Sequence, residues 1–394
     1  MAQHRAVVAG AGIGGLTAAL ALRDRGWDVT VLERAPGLAP VGAGIGLAPN
    51  ALRALDVLGL GDRVRALAAW QGDGGMRRPD GRWLCRTDAR AAAERFGGPL
   101  VLLHRATLVE LLASGLPEGT VRTATQAALT DPGDTHRPAR VATPDGELEA
   151  ELVVGADGIR SAVRTGLFPG HPGPRYSGFT TWRVVIPAPE RPFAPHETWG
   201  PARLWGSQPL KDGRTYAYAM AAAPAGAHSA DGEKAELLRL FGDWHHPVPA
   251  ILDAADDRAV LRHDVHHLID PLPAFHRGRT VLLGDAAHAM QPTLGQGGNQ
   301  AIEDAVVLAH HAGGRPVPAA LAAYTADRLP RTTAIVRKAA RTGRLALLSA
   351  RPAVALRDAA VTAVSRFGPG LLLRGFDDIA DWHPPVPDAP ARVS

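Results

Sequence analysis

The chain has 394 residues, 46% hydrophobic and 21% charged, enough for one large or two ordinary domains with a well-buried core. Its net charge of +4 rests on basic residues that are nearly all arginine. The densest basic run, Arg328, Arg331, Arg337, Lys338, Arg341 and Arg344, has helical spacing and little aromatic interleaving, so it reads as a solvated helix face and excludes nucleic acid as a partner.

No stretch approaches the roughly 20 uninterrupted apolar residues of a spanning helix, so no stable membrane association is expected. Cys85 is the single cysteine, which excludes an intramolecular disulfide and a cysteine metal cluster and fits a reducing cytoplasm. His245, His246, His263, His266 and His267 lack a consistent ligand spacing with carboxylates and read as surface or packing residues, so no metal is expected.

Arg5 precedes an apolar run to Leu22, yet the glycines within it form a nucleotide-binding pattern and not a secretory signal. Residues 5 to 33 read as a βαβ unit. A strand from Ala6 to Ala9 meets the turn Gly10-Ala11-Gly12-Ile13-Gly14-Gly15, then a helix to about Arg25 and a strand from Val29 to Leu32. Gly10, Gly12 and Gly15 make G-x-G-x-x-G, which supplies a tight turn, close backbone approach to a pyrophosphate and close helix packing. Glu33 follows about twenty residues on, where an acid binds a ribose hydroxyl pair.

A second glycine loop, within Val41 to Leu60, feeds a helix starting near Pro49 and Asn50 and either brings backbone, including Gly44 and Ile45, close to a flat ligand or is a plain connecting loop. Residues 72 to 98 read as irregular. Leu103 to Leu112 reads as an amphipathic helix with Arg105 near its start, where it either pairs with a phosphate or caps a surface. Residues 120 to 154 alternate around polar turns as an antiparallel ribbon. The strand Leu152 to Val154 then enters GADGIRSAVR, placing Asp157 at a strand's carboxyl end, the usual position for ligand contacts in an open α/β sheet.

From about Gly173 to Phe275, the runs 179–186, 196–205 and 214–220 are strand-like and hold most of the tryptophans and tyrosines. Trp182, Arg183, Arg203, Trp205 and Tyr216 sit on these strands, with Tyr216 and Tyr218 on one face. An arginine there suits an anionic aromatic and a tyrosine suits a phenol, although ordinary sheet packing explains each equally well. The catalytic candidates on this side are Tyr216 and Arg203. Residues 234–253 read as helical, and 319–364 as further helices.

The stretch from Gly284 to Asp304 joins a short apolar strand to a helix. Its glycine-rich loop offers unpaired N–H groups and the positive end of a helix dipole to a developing anion. Asp285 suits sugar-like hydroxyls.

Three motifs in this order, GAGIGG with Glu33, GADGIRS, and GDAAHAMQPTLGQGGNQAIEDA, resemble those of the class A FAD-dependent aromatic monooxygenases, the para-hydroxybenzoate hydroxylase family. The resemblance implies an α/β fold: a Rossmann-like FAD-binding domain (1–72, 97–172 and 276–317), a discontinuous, mostly antiparallel substrate sheet (73–96 and 173–275), C-terminal helices (318–380) and a tail (381–394). It implies FAD pyrophosphate at Gly10 to Gly15, with Ile13 and Gly14 in that turn, adenosine ribose at Glu33 with Arg34 beside it, and a further contact from Arg105. Asp157 lies in the motif linked to FAD and nicotinamide binding. Asp285 takes the ribityl hydroxyls, and Pro292, Gly295, Gly297, Gly298 and Asn299 line the flavin ring.

In that family NAD(P)H is a transient electron donor and O2 a co-substrate. A flavin C4a-hydroperoxide hydroxylates, or alternatively epoxidises, a small aromatic or polycyclic substrate, in secondary metabolism or aromatic catabolism, and the enzyme is a cytoplasmic monomer or homodimer. A flavin-dependent halogenase is disfavoured because Trp182 to Pro187 reads WRVVIP, lacking the second tryptophan of that family's pattern, and no lysine precedes Lys211. An isoprenoid-saturating reductase requires a more apolar middle region, and a flavin-binding sensor predicts a degraded ring loop where Pro292 to Asn299 is intact.

Overall fold

The computed structural model describes residues 4–38, 43–68, 74–366 and 374–386. Val41 and Gly42 of the second glycine loop, Gly72, and the last residues of the tail lie outside these. A six-stranded sheet runs in the order His276–Arg277, Thr280–Leu282, Leu152–Gly155, Arg5–Ala9, Asp28–Leu32, Val121–Arg122. Every pairing is parallel except the first. Its central strands carry unbroken apolar runs, Ala6 to Ala9 and Leu152 to Val154, because helices and a small second layer cover both faces. Parallel pairing puts the carboxyl ends of neighbouring strands on one edge. Gly10, Glu33, Ala156 and Leu283, scattered through the sequence, therefore converge there.

The second sheet has seven strands in the order Leu261–His267, Arg175–Pro187, Arg214–Ala222, Arg203–Pro209, His196–Gly200, Gly74–Arg77, Trp83–Thr87. All pairs are antiparallel except His196–Gly200 with Gly74–Arg77. One face is covered by the helices Glu233–Phe241 and Val248–Ala254 through Trp182, Trp205, Phe241 and Trp244. The other face brings the Tyr216 ring against Gly44 of the two-stranded pair Gly44–Leu47 and Val101–His104, and packs Phe179, Trp199 and Met220 with Ala346 of the helix Val317–Ala346. Among the described residues no helix is long and apolar enough to cross a membrane.

Three readings of the sequence need correction. Residues expected to be irregular between 72 and 98 contain two strands of the second sheet and the helix Ala89–Phe96. The two strands form a local antiparallel hairpin around the Pro79-Asp80-Gly81 turn, and only Gly74–Arg77 has a distant partner, His196–Gly200, which joins the hairpin to the second sheet. Leu103 and His104 are not helical: Val101–His104 pairs antiparallel with Gly44–Leu47, and Val101 and Leu103 alternate inward at period two. The basic run near the C-terminus is not a uniformly solvated face. Within the helix Val317–Ala346, Arg337, Arg341 and Arg344 are exposed, but Arg328 is 1% exposed because it pairs with buried acids.

Candidate functional site

The glycine turn is shaped by close approaches. Gly10 has φ +106, and a Cβ there would stand 2.5 Å from the Ala156 carbonyl oxygen, so this position admits only glycine without rearrangement. A Cβ at Gly15 would stand 2.0 Å from the Gly10 carbonyl oxygen. Gly12 differs, since nothing lies within 4 Å of its Cβ position. The helix Ile13–Arg23 that follows has no side-chain cap, so its first N–H groups and its dipole face that open space. Gly14 packs against Leu283 and Ala301, and Ile13 is buried beside Gly298.

Glu33 closes the turn. Its carboxylate accepts from Ala11 N–H at 2.8 Å and from Ala35 N–H at 2.9 Å, while Arg34 is exposed. Asp157 is also committed locally. It accepts from Ser161 Oγ (2.5 Å), Ala162 N–H (2.7 Å) and Val163 N–H (3.1 Å), which orders the start of the helix Ala162–Leu167. Arg164, absent from the sequence candidates, is buried and joins this loop to the next motif by donating to the carbonyls of Ile159 and Ala286.

The loop after Thr280–Leu282 contains a short helix, Asp285–His288, and a 3-10 turn, Pro292–Leu294, before the long helix Gly297–Ala312. That helix begins at Gly297, five residues before its apolar periodicity shows, and it too lacks a side-chain cap. The N–H groups of Gly297, Gly298 and Asn299 therefore have no partner within the helix. Asp285 is exposed, with Oδ1 3.8 Å from the Cβ position of Gly297. Pro292 and Gly295 are exposed on the same loop. Asn299 is fully buried. Its Oδ1 accepts from Ala48 N–H (2.8 Å), and its Nδ2 donates to the carbonyls of Gly46 (2.9 Å) and Gly295 (2.7 Å), fastening the strand Gly44–Leu47 to the helix start. Ile45 packs over Gly298.

Beneath this loop lies a charge network the sequence did not reveal. Asp304 accepts from Gly284 N–H (2.9 Å), Arg328 Nε (2.6 Å) and the His288 ring (2.6 Å), and Glu303 meets Arg328 Nη1 (2.6 Å), Arg331 Nε (2.8 Å) and Asn50 Nδ2 (2.6 Å). Burial disfavours ionisation of Asp304, but His288, Arg328 and the Gly284 N–H outweigh it and hold the carboxyl at about 2. Two acids face two guanidiniums, so the charge is balanced where water is excluded. His288 is thus a buried support for the loop, in ring contact with Phe275 at 5.8 Å.

On the facing sheet, register sorts the candidates. Tyr216, Tyr218 and Arg183 share the face turned to the glycine loops, Arg183 being the direct neighbour of Tyr218. Burial and Arg183 keep Arg105 below its ordinary pKa while Asp285 opposes them, and burial raises Tyr216 against the pull of Arg183, so these four groups act on one another across the interface. Burial together with Arg183, Arg262 and Arg105 lowers His263. Arg203, Trp182 and Trp205 are on the opposite face. The Arg203 guanidinium lies 5.6 Å from the Trp244 ring centre, Trp182 Nε1 donates to Glu233, and Trp205 stacks near Phe241. The structure therefore does not bring Arg203 to Tyr216, because alternate residues of a strand point to opposite sides. The cation beside the tyrosines is Arg183.

An open glycine cradle at one helix start, a second uncapped helix start with an exposed acid beside it, and an aromatic sheet face opposite define a dinucleotide-type flavoprotein with a separate surface for substrate. The open space at Gly12 and Gly297 fits FAD. The FAD binding domain family matches residues 3–339, and the chain belongs to the class A FAD-dependent monooxygenases. It is 39% identical over 343 residues to the aurachin C monooxygenase/isomerase of Stigmatella aurantiaca, covering 86% of this chain and 88% of that protein. It is 37% identical over 357 residues to the 3-amino-4-hydroxybenzoate 2-monooxygenase of Streptomyces cremeus, covering 86% of each. Klebsiella pneumoniae HpxO, solved in complex with FAD and uric acid, superposes with a TM-score of 0.88 at 28% identity, covering 96% of both chains.

Proposed function

We propose that this enzyme uses NAD(P)H to hydroxylate a small aromatic or polycyclic molecule held between the Gly297 loop and the face carrying Tyr216 and Arg183. The observation that carries this reading is the convergence of the uncapped Gly297–Asn299 turn, exposed Asp285 and the Tyr216 ring at one seam. FAD, when bound, takes electrons from the nicotinamide and supplies the oxygen atom drawn from O2.

The chain's own residues do the rest. The open backbone at Gly12 and the helix dipole behind it bind the pyrophosphate, Ile13 and Gly14 set the helix that carries it, and Glu33 with Arg34 faces the adenosine ribose. Arg105 adds a positive charge beside Asp285, which receives the ribityl hydroxyls. Gly44, Ile45, Pro292 and Gly295 line the ring, and the N–H groups of Gly297, Gly298 and Asn299 stabilise the negative charge that develops there on reduction. Asp157 orders the loop beneath Gly10. Tyr216 and Arg183 orient the substrate, and its packing against the Gly297 loop excludes water. The domain division follows the two sheets: 1–72, 97–172 and 276–317 for FAD, 73–96 and 173–275 for substrate, and 318–380 as supporting helices.

The test is anaerobic mixing of the FAD-loaded protein with NADH or NADPH in the presence of phenols, indoles, purines and polyketides, followed by air. The expected result is flavin bleaching accelerated by a subset of compounds, then an oxygenated product. Purified protein that holds no FAD, or bleaching that no compound accelerates, overturns the proposal.

A further inference from the structure

Glu197 is placed on the substrate-facing side of the second sheet and no motif points to it. Three strands build its setting. Glu197 on His196–Gly200, Gly206 on Arg203–Pro209 and Tyr218 on Arg214–Ala222 are aligned directly across the sheet. Gly206, having no side chain, lets the Tyr218 ring lie over its strand and reach the acid beyond, where the hydroxyl donates to Glu197 Oε1 at 2.5 Å. Trp199 Nε1 donates to Oε2 at 2.9 Å.

Glu197 and Tyr218 nevertheless keep accessible surface, unlike the neighbouring Trp199, Leu204 and Met220, which are buried. Tyr216 stands next to Tyr218, ring centres 5.5 Å apart, and touches Gly44 of the proposed flavin loop. A continuous path therefore runs from that loop over two tyrosines to a carboxyl group in apolar surroundings. Burial raises the Glu197 pKa, and the hydrogen bonds from Tyr218 and Trp199 offset part of that rise. The cations Arg183 and Arg105 lie at the other end of this path, within reach of Tyr216 and Asp285.

We propose that Glu197, held by Tyr218 and Trp199, is a specificity residue that accepts a hydrogen bond from a phenolic hydroxyl or ring N–H at the end of the substrate remote from the flavin loop, and that excludes a carboxylate from that end. Both Glu197 oxygens already accept hydrogen bonds, as an ionised carboxylate does, so a further donor on the substrate adds a charge-assisted hydrogen bond. A second carboxylate would bring like charges together without water to screen them. The substrate class is thus an apolar ring system whose remote edge carries O–H or N–H. This assignment rests on the monooxygenase reading above.

The test uses FAD-loaded protein without turnover, following the flavin absorbance change on titration with 2-naphthol, 2-methoxynaphthalene and 2-naphthoate. Wild type is expected to bind 2-naphthol about tenfold more tightly than either of the others, the scale of one hydrogen bond to a charged group. Glu197→Gln and, separately, Tyr218→Phe are expected to shrink the naphthol-to-naphthoate ratio by about tenfold with FAD content unchanged. Equal binding of naphthol and naphthoate by wild type, a ratio unmoved in the variants, or no binding of any of the three by FAD-loaded protein overturns the assignment. Failure to hold FAD at all overturns the monooxygenase reading instead.

Discussion

The Tyr218 ring occupies the space a side chain at Gly206 would need: a Cβ there would stand 2.1 Å from Tyr218 Cζ. The glycine and the tyrosine form one unit, and the Glu197 hydrogen bond depends on both. Gly206→Ala is expected to push the ring away, break the bond to Glu197 and destabilise the fold by about 1–3 kcal/mol, the usual cost of overpacking. Thermal unfolding of the variant checks the stability loss, and an unchanged Tm would show that the ring finds room without strain.

Arg328 holds Glu303 and Asp304 together under the Gly284–Asn299 loop. Arg328→Met keeps much of the side-chain volume but leaves two buried carboxylates short of a partner. The expected loss is about 3–5 kcal/mol, as for breaking a buried ion pair. Denaturant unfolding measures it. A loss below that range would mean that Arg331, also bonded to Glu303, and the His288 ring suffice to hold the acids.

How much of this was legible beforehand depends on the range of each interaction. The βαβ unit and its glycines were legible because strand, turn, helix and acid lie within thirty residues and each leaves a local signature. Gly297 and Gly298 were legible through glycine itself, although the helix start was obscured because its first turn carries no apolar periodicity. Arg328 was misread because its helical spacing is identical whether its partners are water or the acids Glu303 and Asp304, roughly 25 positions earlier. Which face Arg203 takes was not legible, because its strand phase is set by the turn at Pro201-Ala202 and a one-residue shift flips every side chain. Glu197 left no mark, since its meaning comes from Gly206 and Tyr218 on two other strands.

Asp304 should shape the acid limb of stability. Its folded pKa of about 2 lies below the ordinary 3.8, so its contribution is fully present above pH 3.8 and is lost as pH falls toward 2. For a fully buried group that difference corresponds to about 2 kcal/mol. Asp304→Asn is therefore expected to be less stable than wild type at pH 7, with the gap between the two narrowing between pH 4 and pH 2. Urea unfolding of both proteins across that range checks it, and a constant gap would place the titration elsewhere.

Asp285 offers the complementary case, an acid nineteen residues before Asp304 with the opposite exposure. It stands open at the strand's carboxyl end beside Gly297, and among the described residues it accepts no hydrogen bond and acts on Arg105 through its charge alone. Asp285→Ala is accordingly expected to change the stability of FAD-free protein by less than about 0.5 kcal/mol, as at an ordinary surface position. If Asp285 receives the ribityl hydroxyls, the same change should weaken FAD binding at least about tenfold, since hydrogen bonds to a carboxylate are the strong kind. Flavin retained after dialysis, read by absorbance, together with Tm of the stripped protein separates the two roles. Retention equal to wild type would remove Asp285 from the cofactor site, whereas a drop in Tm of the stripped protein would show it supporting the loop as Asp304 does.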